Sequence, residues 1–172
     1  DYLVIGGSFY GGGGGGSTVA GREAGREALA LGAPFLVDLD DLPDDTLLLT
    51  VSAVGSPAGE GIHAGPKDYV RAALMFKRYS GLDIGGFIAN ECGGLATVNG
   101  WVQSAATGLP IVDAPCNGRA HPTGAMGSMG LDRALGYISE QAAVGGAAAD
   151  GSPFEVFIRA GVNNASGLVR RA

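Results

Sequence analysis

Residues 46–90, "TLLLTVSAVGSPAGEGIHAGPKDYVRAALMFKRYSGLDIGGFIAN", decide the fold class. "TLLLTVSAV" and "IGGFIAN" read as strands, the first nearly all apolar, as a strand covered on both faces is. Between them "KDYVRAALMFKRYSG" has helical periodicity, with Tyr69, Ala72, Ala73 and Phe76 on the stripe expected to be buried. The loop "GSPAGEGIHAGP" joins the first strand to this helix.

The same alternation continues outward. Upstream, "PFLVDL" reads as a strand, nearly all apolar and likewise expected to be covered on both faces, and "DDLPDD" as a turn. Downstream, "LATVNGWVQSAATG" reads as one helix and "PIVDA" as a strand. Strands alternating with helices argue for a three-layer α/β/α arrangement around a mostly parallel sheet. From Pro115 the pattern changes. "PCNGRAHPTGAMGSMG" is a long glycine-rich loop with room for one helical turn. "ALGYISEQAAV" and "PFEVFIRAG" then read as a late antiparallel strand pair, and "NNASGLVRRA" as a last helix. The expectation is a single α/β domain over residues 1–172, forming the N-terminal domain of a larger protein or a subunit of a complex.

At the other end, "SFYGGGGGGSTVAGREAGREALALG" carries six consecutive glycines, Gly11 to Gly16. A short apolar helix, "YLVIGGSFY", precedes them with Asp1 as its cap. A second helix follows, capped by Ser17 or Thr18 and ended by Gly32. Helices with apolar faces on both sides argue against a linker. A dinucleotide fingerprint needs a strand before the glycines, and here there is a helix. A P-loop needs lysine after the second glycine, and here Ser17 follows Gly16. No nucleotide cofactor is therefore expected. Two uses remain. Bare backbone ending at a helix N-terminus can offer N–H groups to a carboxylate, phosphate, imide oxygen or developing oxyanion. Equally, close helix packing can leave no space for a Cβ.

Bulk composition narrows the partners. Net charge is −6 and the pI about 4.7, which disfavours nucleic acid and anionic membranes. Charged residues make up only 16% of the 172, and glycine occurs 32 times. So little charge predicts surface covered by another domain, a companion chain or a second copy. No apolar run is long enough to span a membrane. Cys92 and Cys116 do not form a disulfide framework, and a cytoplasmic setting with free thiols is the expectation.

Ligands of open α/β sheets sit at the carboxyl ends of the strands. Three loops start there: "VGSPAGEGIH" with Ser56, Glu60 and His63; "NECGG" with Asn90, Glu91 and Cys92; and "DAPCNGRAHP" with Asp113, Cys116, Asn117, Arg119 and His121. The glycine run is a fourth candidate wall. Glu91, after an apolar strand and before two glycines, suits proton transfer, or else ties its loop. Cys116 near His121 and Arg119 could be a nucleophilic thiolate, or a small core residue. Arg119 can clamp a carboxylate or imide oxygen, or staple the loop through a salt bridge. Asp113 is placed to orient Arg119 or His121. Glu91, Asp113, His63 and His121 could together hold a divalent metal, although their spacing matches no recognised zinc pattern.

The order of these pieces resembles the S-methyl thiohydantoin desulfurase-like family. The resemblance rests on "DYLVIGG", the glycine run and its helix, "LVDLDDLPDDTLLLTVSAVGSP", "ANECGGLATV" and "TGLPIVDAPCNGRAHP". It covers nearly the whole chain. Members usually read "DADGMGRAFPE" where this chain has Asp113 to Pro122, so Cys116 and His121 are departures. Members are often encoded beside hydantoinase and oxoprolinase genes and continue into a β-rich second domain.

The resemblance implies an α/β N-terminal domain and a role with hydantoin-like or other cyclic amides. The chemistry expected is hydrolytic attack at C–N or C–S bonds. Glu91, Cys116, His121 and Asp113 are the catalytic candidates. Gly12, Gly13, Gly14, Gly15, Asn90, Asn117 and Arg119 are the substrate-binding ones. The alternatives are a non-catalytic subunit completing a companion chain's site, and an isomerase or lyase using the same carboxylate.

Overall fold

The computed structural model describes residues 1–55, 64–121, 124, 126–146 and 153–171. The helices are α1 (Tyr2–Tyr10), α2 (Thr18–Leu31), α3 (Pro66–Ser80), α4 (Trp101–Thr107) and α5 (Val162–Val169). The strands are β1 (Leu36–Val37), β2 (Leu48–Val51), β3 (Gly86–Ala89), β4 (Ile111–Pro115), β5 (Ser139–Gly145) and β6 (Phe154–Ala160). Packing divides the chain into two compact units. One comprises Asp1–Ala53 and Asp83–Pro122, the other Val54–Leu82 and Thr123–Ala172.

In the first unit β1-β4-β3-β2 form one sheet with every pairing parallel, so the α/β expectation is met. Phe87 pairs with Ile111 and Ile88 with Val112, but Ala89 pairs with Pro115. Asp113 and Ala114 are thus extra residues on β4, bulged out at the carboxyl end of the sheet. Ala28 of α2, Val102 of α4, Phe87, Ala89, Ile111 and Val112 are buried. Helix α2 packs on α4, and α4 on β3.

Burial on both faces holds for β3 and the start of β4, which lie inside the sheet. The outer strands differ: Leu36 of β1 and Thr50 of β2 are exposed. The single helix expected over 95–108 is two pieces. A 3-10 turn, Ala96–Val98, comes first, then Gly100 with φ +95°, then α4. At Gly100 a side chain is disfavoured twice. Its φ is left-handed, and a Cβ there would lie 3.2 Å from Val51 Cγ2.

The second unit holds α3, the antiparallel pair β5-β6 and α5. Helix α3 starts where the Gly65 N–H donates to Asp68 Oδ2 at 2.9 Å, with Pro66 in the first turn, and ends at Gly81 with φ +69°. Of its expected stripe, Ala73 and Phe76 are buried, Tyr69 and Ala72 half-buried, and Met75 joins them. Phe76 and Tyr79 lay their rings against Phe157 of β6. A two-stranded sheet is marginal by itself; here α3 and α5 both pack on it.

Candidate functional site

Helix α1 closes with the Gly11 N–H donating to Gly7 O at 2.8 Å. The chain then turns through positive φ at Gly12, Gly13, Gly15 and Gly16. Helix α2 begins at the Ser17 cap, whose Oγ accepts the Ala20 N–H at 3.1 Å. Only glycine takes that succession of left-handed conformations cheaply.

The run faces two ways. Toward the interior it meets the backbone of residues 92–95. Gly15 O accepts the Leu95 and Ala96 N–H groups at 3.0 and 2.9 Å. A Cβ on Gly11 would lie 2.8 Å from Cys92 O, and one on Gly15 2.6 Å from Gly93 Cα. Gly7 and Gly21 are equally closed, with Thr97 Oγ1 at 1.9 Å and Gly94 O at 1.8 Å from the position a Cβ would take. Close packing is therefore the reason for these glycines. Gly12 and Gly13 face outward. A Cβ on Gly13 would meet nothing within 4 Å, and one on Gly12 would meet Arg119 Nη2 at 3.6 Å. Gly13 and Gly16 are exposed, and among the described residues their N–H groups have no hydrogen-bond partner.

The loops after β3 and β4 are laced to this turn and to each other. Cys92 N–H donates to Gly118 O at 2.7 Å, and Ala120 N–H to Gly11 O at 3.4 Å. Glu91 Oε2 accepts the His121 N–H at 2.5 Å, so the half-buried carboxylate ties one loop to the other. Its Oε1 has no hydrogen-bond partner among the described residues. Beneath them Asn90 and Asn117 are 6% and 7% exposed. Asn117 Nδ2 donates to Asn90 Oδ1 at 2.7 Å, and the Asn117 backbone N–H to Asn90 O at 2.8 Å.

Gly12, Gly14, Glu91, Arg119 and the His121 backbone are thus brought together. Gly14 is the one whose Cβ would strike Ala120 Cβ, at 2.6 Å. Arg119 is exposed, and among the described residues its guanidinium has no ion-pair partner. The loop-stapling salt bridge therefore does not form within them. Asp113 stands exposed on the β4 bulge, and its carboxylate bonds to neither Arg119 nor His121. Ser56, Glu60 and His63 lie outside the described residues. Among those described, no group of three or more His, Cys, Asp or Glu side chains is placed to hold a metal ion.

Both thiols have their pKa raised. Burial pushes the Cys116 thiol up, against a smaller opposing pull from its contact with Thr50 Oγ1 at 3.4 Å and from a backbone hydrogen bond. Burial, then the neighbouring Glu91 charge, pushes Cys92 up. A raised pKa works against the thiolate that a Cys116 nucleophile would need. Sequence reasoning missed Thr97, which clamps the 93–97 turn: its Oγ1 accepts the Gly93 N–H at 3.1 Å and donates to Gly93 O at 2.7 Å. The signal was the Gly93–Gly94 pair four and three residues ahead of a hydroxyl.

Comparison with known proteins adds three findings. The family model described as S-Me-THD-like, N-terminal domain, matches residues 1–158. A crystal structure of a protein from Chromobacterium violaceum is similar over 91% of this chain, with 26% identity and a TM-score of 0.62. This chain spans 42% of that one. No curated protein matches the chain.

Proposed function

Because the chain belongs to the S-Me-THD-like family, as its N-terminal domain, we propose that its first unit carries an enzyme site for hydantoin-like or other cyclic amides. Glu91 is the acid/base of this reading. It takes a proton from water as the oxygen adds to a ring carbon at a C–N or C–S bond, and returns it to the departing nitrogen or sulfur. Arg119 and the N–H groups of Gly13 and Gly16, which have no partner among the described residues, hold the charge that develops on the ring. Cys116 has no part in it.

One observation carries the reading. A half-buried carboxylate, fixed through one oxygen and open at the other, shares a set of laced loops with an arginine that has no counter-ion among the described residues. A merely structural Glu91 would need only the oxygen it uses on His121. The test is turnover of hydantoin and 2-thiohydantoin by the full chain, and by Glu91→Gln. Loss of at least about a hundredfold in kcat with little change in binding is expected. Near-normal turnover by the variant removes Glu91 from the chemistry.

A second feature favours a larger assembly. Helix α1 leaves Tyr2 92% and Phe9 83% exposed. Isolated apolar side chains on a surface are ordinary, but three exposed aromatics, Tyr10 included, on one short, uncharged helix suit a covering surface. In this reading a further domain, companion chain or second copy lies on α1 and the site works as part of that assembly.

A further inference from the structure

The Asn90–Asn117 pair is costly for its position. Two side-chain amides are more than nine-tenths buried at the carboxyl ends of neighbouring strands, where apolar residues would fill the space without a desolvation penalty. Their bond has a direction: Asn117 gives the N–H and Asn90 gives the oxygen. That leaves the Asn90 NH2. Among the described residues Asn90 Nδ2 has no hydrogen-bond partner. A buried residue thus keeps an NH2 with no hydrogen-bond partner among the described residues, immediately before Glu91 in the chain. Buried amide donors rarely go unmet.

We infer that Asn117 is a positioning residue that locks the Asn90 amide with its NH2 outward, making Asn90 a dedicated donor for an acceptor atom of the ligand. The inference rests on the proposed function. It narrows the ligand to a ring whose carbonyl or thiocarbonyl sits beside the carbon attacked, and it disfavours rings that present an N–H there. An asparagine free to flip could accept as readily as donate. With its oxygen turned to Asn117, the group Asn90 leaves for a ligand is the NH2, which only donates. The distinction is one of polarity, which is why a position that is identical in size can discriminate between ligands.

The test begins without ligand. In the isotopically labelled full chain, coupling across the hydrogen bond is measured by nuclear magnetic resonance. It should connect Asn117 Nδ2 to the Asn90 carboxamide carbon. Coupling in the reverse sense, from Asn90 Nδ2 to Asn117, overturns the inference, whatever the ligand. Hydantoin is then titrated in. The Asn90 NH2 resonances should shift, and Asn117→Asp should weaken hydantoin binding about tenfold or more, since an aspartate can only accept and draws the Asn90 NH2 inward. Asn117→Ser, which keeps a donor, should restore part of the affinity. A purely structural pair predicts that both variants lose stability while whatever folded protein remains binds normally; unchanged affinity in Asn117→Asp overturns the inference. Failure of hydantoin to bind the unaltered chain refutes the proposed function and is told apart by the coupling, which reads the orientation alone.

Discussion

Alanine at Gly21 and alanine at Gly25 should have opposite effects on stability, although both glycines are buried on helix α2, one turn apart. Intrinsic helix propensity treats the two alike. Replacing an interior helical glycine with alanine gains up to about 1 kcal/mol. What decides the sign is the space each Cβ would enter. At Gly25 the nearest atom is Val98 Cγ1 at 4.0 Å, so the methyl enters ordinary contact and the gain survives. At Gly21 the same methyl would sit 1.8 Å from Gly94 O and 2.7 Å from Gly94 C. Backbone cannot swing aside as a side-chain tip can, so α2 or the 93–97 turn has to move. Overpacking of this kind costs about 1–3 kcal/mol, and moving the turn also loosens the Gly15–Leu95 and Gly15–Ala96 hydrogen bonds. The net expectation is about 2 kcal/mol lost for Gly21→Ala and about 0.5–1 kcal/mol gained for Gly25→Ala. In a chain of this size each kcal/mol moves Tm by about 2–4 °C. Urea melts of the two variants beside the unaltered protein would measure both. A Gly21→Ala protein as stable as the original would refute the account of the glycines as close-packing residues.

Arg119→Ala should raise KM for an anionic ring amide more than about tenfold, with a smaller effect on kcat, because a ground-state clamp is lost; an unchanged KM would take Arg119 out of the site. Iodoacetamide alkylation of Cys116 should be slow at neutral pH and rise only above the ordinary thiol range, since burial raises its pKa. Thr50→Val removes a bond that favours the thiolate, so the profile should move to still higher pH; a move to lower pH would contradict the assignment. Glu91→Gln should shift the Cys92 alkylation profile to lower pH, because one of the two causes raising it disappears while burial remains; an unmoved profile would mean the Glu91 charge is not felt there. Size-exclusion chromatography with light scattering should find the isolated chain self-associated or bound to a partner. A well-behaved 17.1 kDa monomer with full activity would defeat the assembly reading.

The parts of the fold that a periodicity can carry were legible in the sequence. Apolar runs of strand length around an amphipathic helix gave β2, α3 and β3 in order, and Ser17 and Gly32 marked the ends of α2. The break before α4 was not legible, because "LATVNGWVQSAATG" keeps helical spacing across Gly100. Only the structure shows Gly100 in a left-handed turn, where a Cβ would crowd Val51 and Phe87. Nor do strand composition and length reveal which strand lies at an edge. "PFLVDL" and "IGGFIAN" look alike, yet β1 contributes two residues to one side of the sheet and β3 is paired on both sides. Pairing partners are a property of the whole chain, so an apolar run predicts a strand without predicting its burial.

The site was legible in its residue types and not in its division of labour. Six glycines posed a choice between packing and binding; the geometry gives Gly11 and Gly15 to packing and leaves Gly12 and Gly13 turned outward. Gly11 and Gly15 stand four apart and press the same backbone, that of residues 92–93. Gly12 and Gly13 lie between them with positive φ and turn the chain outward beside Arg119. The two uses are coupled. Because Gly11 and Gly15 anchor the turn on the segment that follows Glu91, the outward backbone is held in fixed register with that carboxylate. Its hydrogen bond to His121 in turn sets the loop that carries Arg119. A side chain at Gly11 or Gly15 would push the turn away from residues 92–93, and with it the Gly12–Arg119 approach. Packing glycines here are therefore part of how the charged groups are positioned, which no count of glycines in a row could have separated from binding.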